Sequence, residues 1–183
     1  MSEIADRWRR VADEFTRCAR TVPDGAWERP APCDGWVARD VVRHLVEWVP
    51  AFFRDAGGPS FPSGSADDDP VGGWCELDGA VRAVLDDPEA SAEVITHPRA
   101  GQHRVDDALD TFVLGDVLVH TWDLARATGR DVTLDPAEVK RMIDGMEPFD
   151  EMLRSSGHYG PRVPVPDDAD DQTRLLAFTG RQP

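Results

Sequence analysis

The stretch Leu114 to Gly129, LGDVLVHTWDLARATG, constrains the fold most strongly, because it sets two chargeable side chains inside an apolar helical pattern. Leu109, Phe112, Val113, Asp116, His120, Leu124 and Ala127 share one face at the helical period of about 3.6 residues. An ionised carboxylate buried without a partner is costly, so Asp116 must be exposed, protonated, hydrogen-bonded to a cation or coordinated to a metal. His120 lies four residues on, and a carboxylate and an imidazole one turn apart converge on a single point, as they do in the metal sites of helical bundles. A core His120 hydrogen-bonded to Asp116 satisfies the same pattern without an ion.

The rest of the chain supplies the elements around this helix. Ile4, Trp8, Val11, Ala12, Phe15, Cys18 and Ala19 give a first amphipathic helix over residues 3 to 22, stopped by Pro23. After a Pro- and Gly-rich loop containing PAPCDGW, the residues Val37, Val41, His44, Leu45, Trp48 and Phe52 form a second stripe, with Asp40 in its first turn. Pro50 is expected to bend this helix or end it early. Residues 55–70, DAGGPSFPSGSADDDP, read as a mobile linker by composition. A shorter helix runs through Trp74, Leu77, Val81 and Leu85. Residues 92 to 105 then make an extended or hairpin-like connection, on which His97 and His103 read as exposed loop histidines. Gly129 suits a helix C-cap. Asp135 and Pro136 start a further helix with Val139, Met142, Ile143 and Met146 inward, read as the fourth of the bundle. Residues 160–183 form an extended Pro-rich arm and a short terminal helix ended by Gly180, while His158 and Tyr159 before it read as a surface turn before they read as the border of a pocket. The whole predicts one all-α domain over residues 1–183, with Trp8, Phe15, Val41, Leu45, Trp48, Phe112, Val113, Val117 and Leu124 in its core.

Composition narrows the function. Twenty basic against thirty-five acidic residues leave a formal charge of -15, which argues against nucleic acid and against anionic membrane surfaces. Cys18, Cys33 and Cys75 are odd in number and widely spaced, so they read as reduced thiols without a metal knuckle or redox motif. With no apolar run long enough for a signal peptide core or a membrane span, the expected location is the cytoplasm. No nucleophile elbow, phosphate loop or dinucleotide fingerprint occurs.

Two helices carry the same pattern, Asp40-x-x-x-His44 and Asp116-x-x-x-His120. A first-turn aspartate already has a structural role, so His44, Asp116 and His120 are the expected ligands of a divalent ion. Three protein ligands leave a position for water or substrate, as catalytic sites do. Two imidazoles and a carboxylate accept zinc first, with nickel, iron or cobalt as alternatives. Asp123 reads as the ion-pair partner of an arginine, with a possible second role orienting a ligand. Trp122 reads as packing on a neighbouring helix. Cys33, close to a helix start, reads as a small buried residue before it reads as an activated thiol.

The segments PCDGWVARDVVRHLVEW, LGDVLVHTWDLARATGRD and GPRVPVPDDADDQTRLLAFTGR together resemble the actinobacterial DinB-like metal-binding proteins related to the N-terminal domain of mycothiol-dependent maleylpyruvate isomerase. That resemblance spans nearly the whole chain. It implies a DinB-like four-helix bundle with a long crossover connection and short extra helices, and it places the family's ligands at His44, Asp116 and His120. Where the isomerase has a Glu this chain has Asp116, and where the family has a Thr at the start of the second helix this chain has Val37, leaving Asp34 as the expected cap. The implied cofactors are a divalent metal ion and mycothiol, and the implied partners are a small thiol and a small electrophilic substrate, on a monomer or homodimer. The implied activity is a mycothiol-dependent transferase or isomerase-like reaction. A water-activating hydrolase and a non-enzymatic metal-binding bundle are the alternatives.

Overall fold

The structure, a computed structural model, describes residues 2–155 and 160–183. Ser2 opens helix α1 (Glu3–Arg20) by accepting the Ala5 N–H on its hydroxyl, which satisfies one of the orphan donors of the first turn. Helix α2 (Ala38–Asp55) has no side-chain cap at Val37. Instead the Asp40 carboxylate reaches back to the Val37 N–H at 2.8 Å, so the role expected of Asp34 falls to Asp40. Pro50 is buried within α2, and the helix runs five residues beyond it. Asp69 caps α3 (Pro70–Asp86), and Asp87 caps the short α4 (Pro88–Ala92).

Strands β1 (Val94–His97) and β2 (Gly101–Arg104) form an antiparallel hairpin in which Ile95 faces His103. Its turn is closed by the His97 ring, whose Nδ1 accepts the N–H groups of Arg99 and Ala100 at 3.2 and 3.1 Å. His97 is therefore buried rather than an exposed loop residue, and His103 is half-buried with its Nε2 donating to the Ala100 carbonyl. The chain continues through α5 (Val105–Ala108), a π-helical segment (Leu109–Leu114) and α6 (Gly115–Ala127). Gly129, at φ +77°, follows as the left-handed residue after the cap. Asp135 accepts the N–H groups of Ala137 and Glu138 to start α7 (Pro136–Met146). A 3-10 turn (Glu147–Phe149), α8 (Asp150–Ser155) and α9 (Asp171–Phe178) complete the described helices. His158 and Tyr159 lie outside the described residues.

Helix α1 packs against α3 and α6, and α2 packs against the same two, so α1 and α2 stand on opposite corners of a four-helix bundle. The connection from α1 to α2 therefore crosses the bundle diagonal, as the later one between α2 and the helix that carries Asp116 does not. The fourth bundle position belongs to α3. Helix α7, read from the sequence as that fourth helix, lies outside against α6 and α9, although Val139 and Ile143 do face inward.

Aromatic side chains fill the α1–α3 seam, with Phe15 at 4.4 Å and Trp8 at 6.4 Å from Trp74 between ring centroids. Each buried indole finds an acceptor, Trp8 in Asp78 and Trp74 in Thr16. Arg7, buried among these helices, holds Glu138 through two hydrogen bonds of 2.8 and 2.6 Å and Asp110 at 2.7 Å, tying α1 to α7 and to the π-helical segment. Trp48 and Phe112, expected in the core, are half-buried. No helix among the described residues is long and apolar enough to cross a membrane.

Residues 55–70 lie against the bundle, with Phe61 and Ala66 buried and Phe61 edge-on to Phe53. Gly64 makes this approach possible: a Cβ there would stand 2.3 Å from the Cα of Gly73 on α3. Gly64→Ala should therefore cost about 1–3 kcal/mol, as overpacking does. Gly79→Ala, on the same helix with nothing within 4 Å, should be neutral or stabilising. Urea denaturation of both variants checks this, and equal midpoints would contradict the packing.

Candidate metal centre

The loop before α2 folds back on itself: Ala31 N–H donates to the Trp36 carbonyl at 2.8 Å, and Trp36 N–H to the Cys33 carbonyl at 3.0 Å. Gly35, at φ +76°, takes the one position of this turn that disfavours a side chain. Trp36 is thereby laid over the helix pair, stacked on His120 at 5.8 Å and tilted against His44 at 5.2 Å.

Beneath that indole, α2 presents His44 and α6 presents Asp116 and His120. His44 Nε2 is 3.1 Å from Asp116 Oδ2, and His120 Nε2 is 3.4 Å from Asp116 Oδ1. One donor atom from each of the three lies within 4.8 Å of the others. The three candidate residues read from the sequence are thus brought together, while Asp40 is turned to the Val37 N–H and Arg43. Nitrogen and oxygen ligands about 2.0–2.2 Å from a shared tetrahedral ion stand about 3.3–3.6 Å apart, close to these two separations, which run to different oxygens of the Asp116 carboxylate. The donor chemistry, two imidazole nitrogens and a carboxylate, suits a divalent ion of the zinc type.

Behind the triad a second layer fixes its geometry. His120 Nδ1 is 2.9 Å from Asp123 Oδ2, and Asp123, with no exposed side-chain surface, is gripped by Arg181 Nε at 3.2 Å and Nη2 at 2.8 Å. With Nδ1 donating to Asp123, the Nε2 of His120 is the atom left for Asp116 or a ligand. Trp48 Nε1 donates to Asp116 Oδ2 at 2.9 Å and orients that carboxylate from the other side. Cys33 Sγ lies 3.5 Å from Asp123 Oδ2 and 3.7 Å from Arg181 Nη2. Cys33, His120 and Asp123 form a second close group, but Asp123 is already held by Arg181. Trp122 is buried, with Arg126 over its ring.

Burial alone would raise the Asp116 carboxyl, but the charge and hydrogen bonds of His120, joined by His44, outweigh it and hold the group far below the usual carboxylate range. Burial likewise works to neutralise His120. The Asp116 charge, with the hydrogen bonds that His120 makes to Asp116 and Asp123 and its contact with Cys33, prevails and raises its pKa well above the ordinary 6.5. Asp123 is kept low against burial by its bonds to His120 and Arg181.

Sequence reasoning missed Trp36 and Arg181. The Asp-Gly turn in PCDGW gives a signal for the first, since it reverses the chain beside the His44 helix. Arg181 is 58 residues from Asp123, and nothing local marks their pairing.

Residues 8–112 match the family described as the mycothiol maleylpyruvate isomerase N-terminal domain. The chain belongs to this family. The matched span contains His44 and ends four residues before Asp116. Uncharacterised proteins from two strains of Mycobacterium tuberculosis, CDC 1551 / Oshkosh and ATCC 25618 / H37Rv, are each 29% identical over 182 residues, covering 94% of this chain and 94% of the relative. No solved structure matches the chain.

The metal-free protein gives a direct check on the electrostatics. A raised folded pKa means that His120 adds stability below its unfolded value, near 6.5, and loses that contribution as pH rises through the folded value. Ring NMR should show His120 titrating above 6.5. Titration at or below 6.5 would contradict the Asp116 and Asp123 contacts.

Proposed function

We propose that this protein is a divalent-metal-dependent enzyme that holds its ion, zinc first, on His44, Asp116 and His120 and uses a small thiol cofactor, mycothiol by family, on a small electrophilic substrate. The observation that carries the reading is the convergence of the three donor groups within 4.8 Å, on a chain of the mycothiol-related family. Held there, a divalent ion lowers the pKa of a coordinated thiol and so supplies a thiolate at neutral pH without a catalytic cysteine.

The chain's own part is positioning and exclusion. Arg181 and Asp123 fix the ring of His120 with Nε2 toward Asp116. Trp48 holds the Asp116 carboxylate, and Trp36 covers both imidazoles, limiting water at the donor atoms. His44 and Asp116 keep roughly 30% of their side-chain surface exposed while His120 keeps 5%, so the approach is from the His44 and Asp116 side. Two of the three cysteines fit the role less well: burial pushes the Cys18 thiol up, and Cys33 is turned to Asp123.

Metal analysis of the purified protein should find one divalent ion per chain, lost in His120→Ala and reduced in His44→Ala. Full metal in both variants would end the assignment. Arg181→Ala, which frees Asp123 from its cation, should lower metal affinity about 10–100-fold with helicity unchanged. Calorimetric titration of the loaded protein with mycothiol and with a thiol-free analogue tests the cofactor. Metal-dependent binding of the thiol alone supports the transferase or isomerase-like chemistry. Equal binding of the two favours water activation, and no binding favours a non-enzymatic role.

A further inference from the structure

His120 has a carboxylate at each of its ring nitrogens. Nε2 faces Asp116 and Nδ1 faces Asp123, so this one side chain on α6 stands between two groups of metal-ligating atoms. The second group does not include His44. It joins Cys33, from the loop before α2, to His120 and Asp123 on α6, with one donor atom of each within 4.8 Å of the others. A sulfur, an imidazole nitrogen and a carboxylate oxygen thus converge from two separate parts of the chain.

Cys33 Sγ stands 3.5 Å from Asp123 Oδ2. Bonds of about 2.3 Å to sulfur and about 2.0–2.2 Å to oxygen place those atoms about 3.5–3.7 Å apart around a tetrahedral ion, so this edge has the length an ion needs. The edge from His120 Nδ1 to Asp123 Oδ2 is 2.9 Å as a hydrogen bond, and it opens by about 0.5 Å when an ion takes the place of the proton. A cation stands beside the group: Arg181 Nη2 is 2.8 Å from Asp123 Oδ2 and 3.7 Å from Cys33 Sγ. The guanidinium supplies the charge that buried Asp123 requires, and an ion bound to the same carboxylate would supply it instead. Arg181 follows α9 and keeps 14% of its side chain exposed, which gives it a way out to solvent.

We infer that Cys33 Sγ, His120 Nδ1 and Asp123 form a second metal position, selective for a thiophilic ion, which Arg181 closes and whose filling takes His120 from the first. The sulfur is what separates the two positions, since thiolate selects soft ions and the nitrogen and oxygen donors of His44, Asp116 and His120 do not. As the ion binds, the Cys33 thiol and His120 Nδ1 release their protons to water, and His120 keeps a proton on Nε2 toward Asp116. A neutral imidazole carries a proton on one of its nitrogens, so His120 serves one ion at a time. That exclusion rests on the proposed function; the binding of the soft ion does not.

Cadmium is the probe, titrated into the metal-free full chain and followed by thiolate-to-cadmium charge-transfer absorption in the ultraviolet. The band should saturate at one ion per chain, persist in His44→Ala and vanish in Cys33→Ser, which leaves Cys18 and Cys75 in place. Arg181→Ala should tighten cadmium about tenfold, because the ion then meets no competing cation, a change opposite in sign to its effect on zinc. Cadmium NMR of the unmodified protein, in which a sulfur donor moves the resonance downfield, reads the same position independently of how the variants fold. No sulfur-shifted resonance, a band unchanged in a folded Cys33→Ser protein, or zinc fully retained while the band develops would overturn the inference. The two readings also separate: a thiolate band in a protein that binds no zinc through His44 removes the first centre and keeps the second, and zinc bound through His44 with no band removes the second alone.

Discussion

The ion pair between Asp123 and Arg181 is the interaction on which the centre depends. A carboxylate with no exposed surface could not remain ionised there alone, and Arg181 supplies two hydrogen bonds and a positive charge from a distant part of the chain. Because Asp123 stays charged, it can accept from His120 Nδ1, and this fixes which nitrogen of His120 faces Asp116. The pair thus converts the fold of α9 and the residues after it into the protonation pattern of a side chain on α6. Removing either partner leaves the other charge buried without its counter-charge.

Much of the helical framework was legible in the sequence because its periods are long and its ends are marked. The stripe on residues 3–20, the Asp135-Pro136 start of α7 and the Gly129 terminus all rest on local chemistry. The Asp116 and His120 pairing was legible for the same reason, since one helical turn fixes their separation. The partner role of Asp123 was also within reach: a charged residue in an apolar helix needs a cation, and Arg181 provides it. Which arginine does so was not, since the pairing spans 58 residues.

The misreadings share a cause. The inward stripe of α7 suggests a bundle helix, but a stripe says how apolar a face is, not which helix covers it, and the bundle position belongs to α3. His97 looked like an exposed loop residue, yet its ring caps the hairpin turn and stacks on Phe52. The position of Asp34 suggests a cap, while Asp40 reaches the Val37 N–H from within the helix. In each case the deciding contact is tertiary, or comes from a side chain folding back along its own backbone.

The π-helical segment Leu109–Leu114 sets how this helix can vary in length. A single π turn is an α-helix with one extra residue wound in, so the flanking turns keep their facing. Anywhere else between Val105 and Asp116, adding or losing one residue would rotate Asp116 and His120 by about 100° against the hairpin end of the helix. Within Leu109–Leu114 the loss of one residue is absorbed by closing the wide turn to an α turn. The bulge is the point at which the helix can lose a residue while the hairpin stays against Phe52 and Asp116 and His120 keep their facing toward His44.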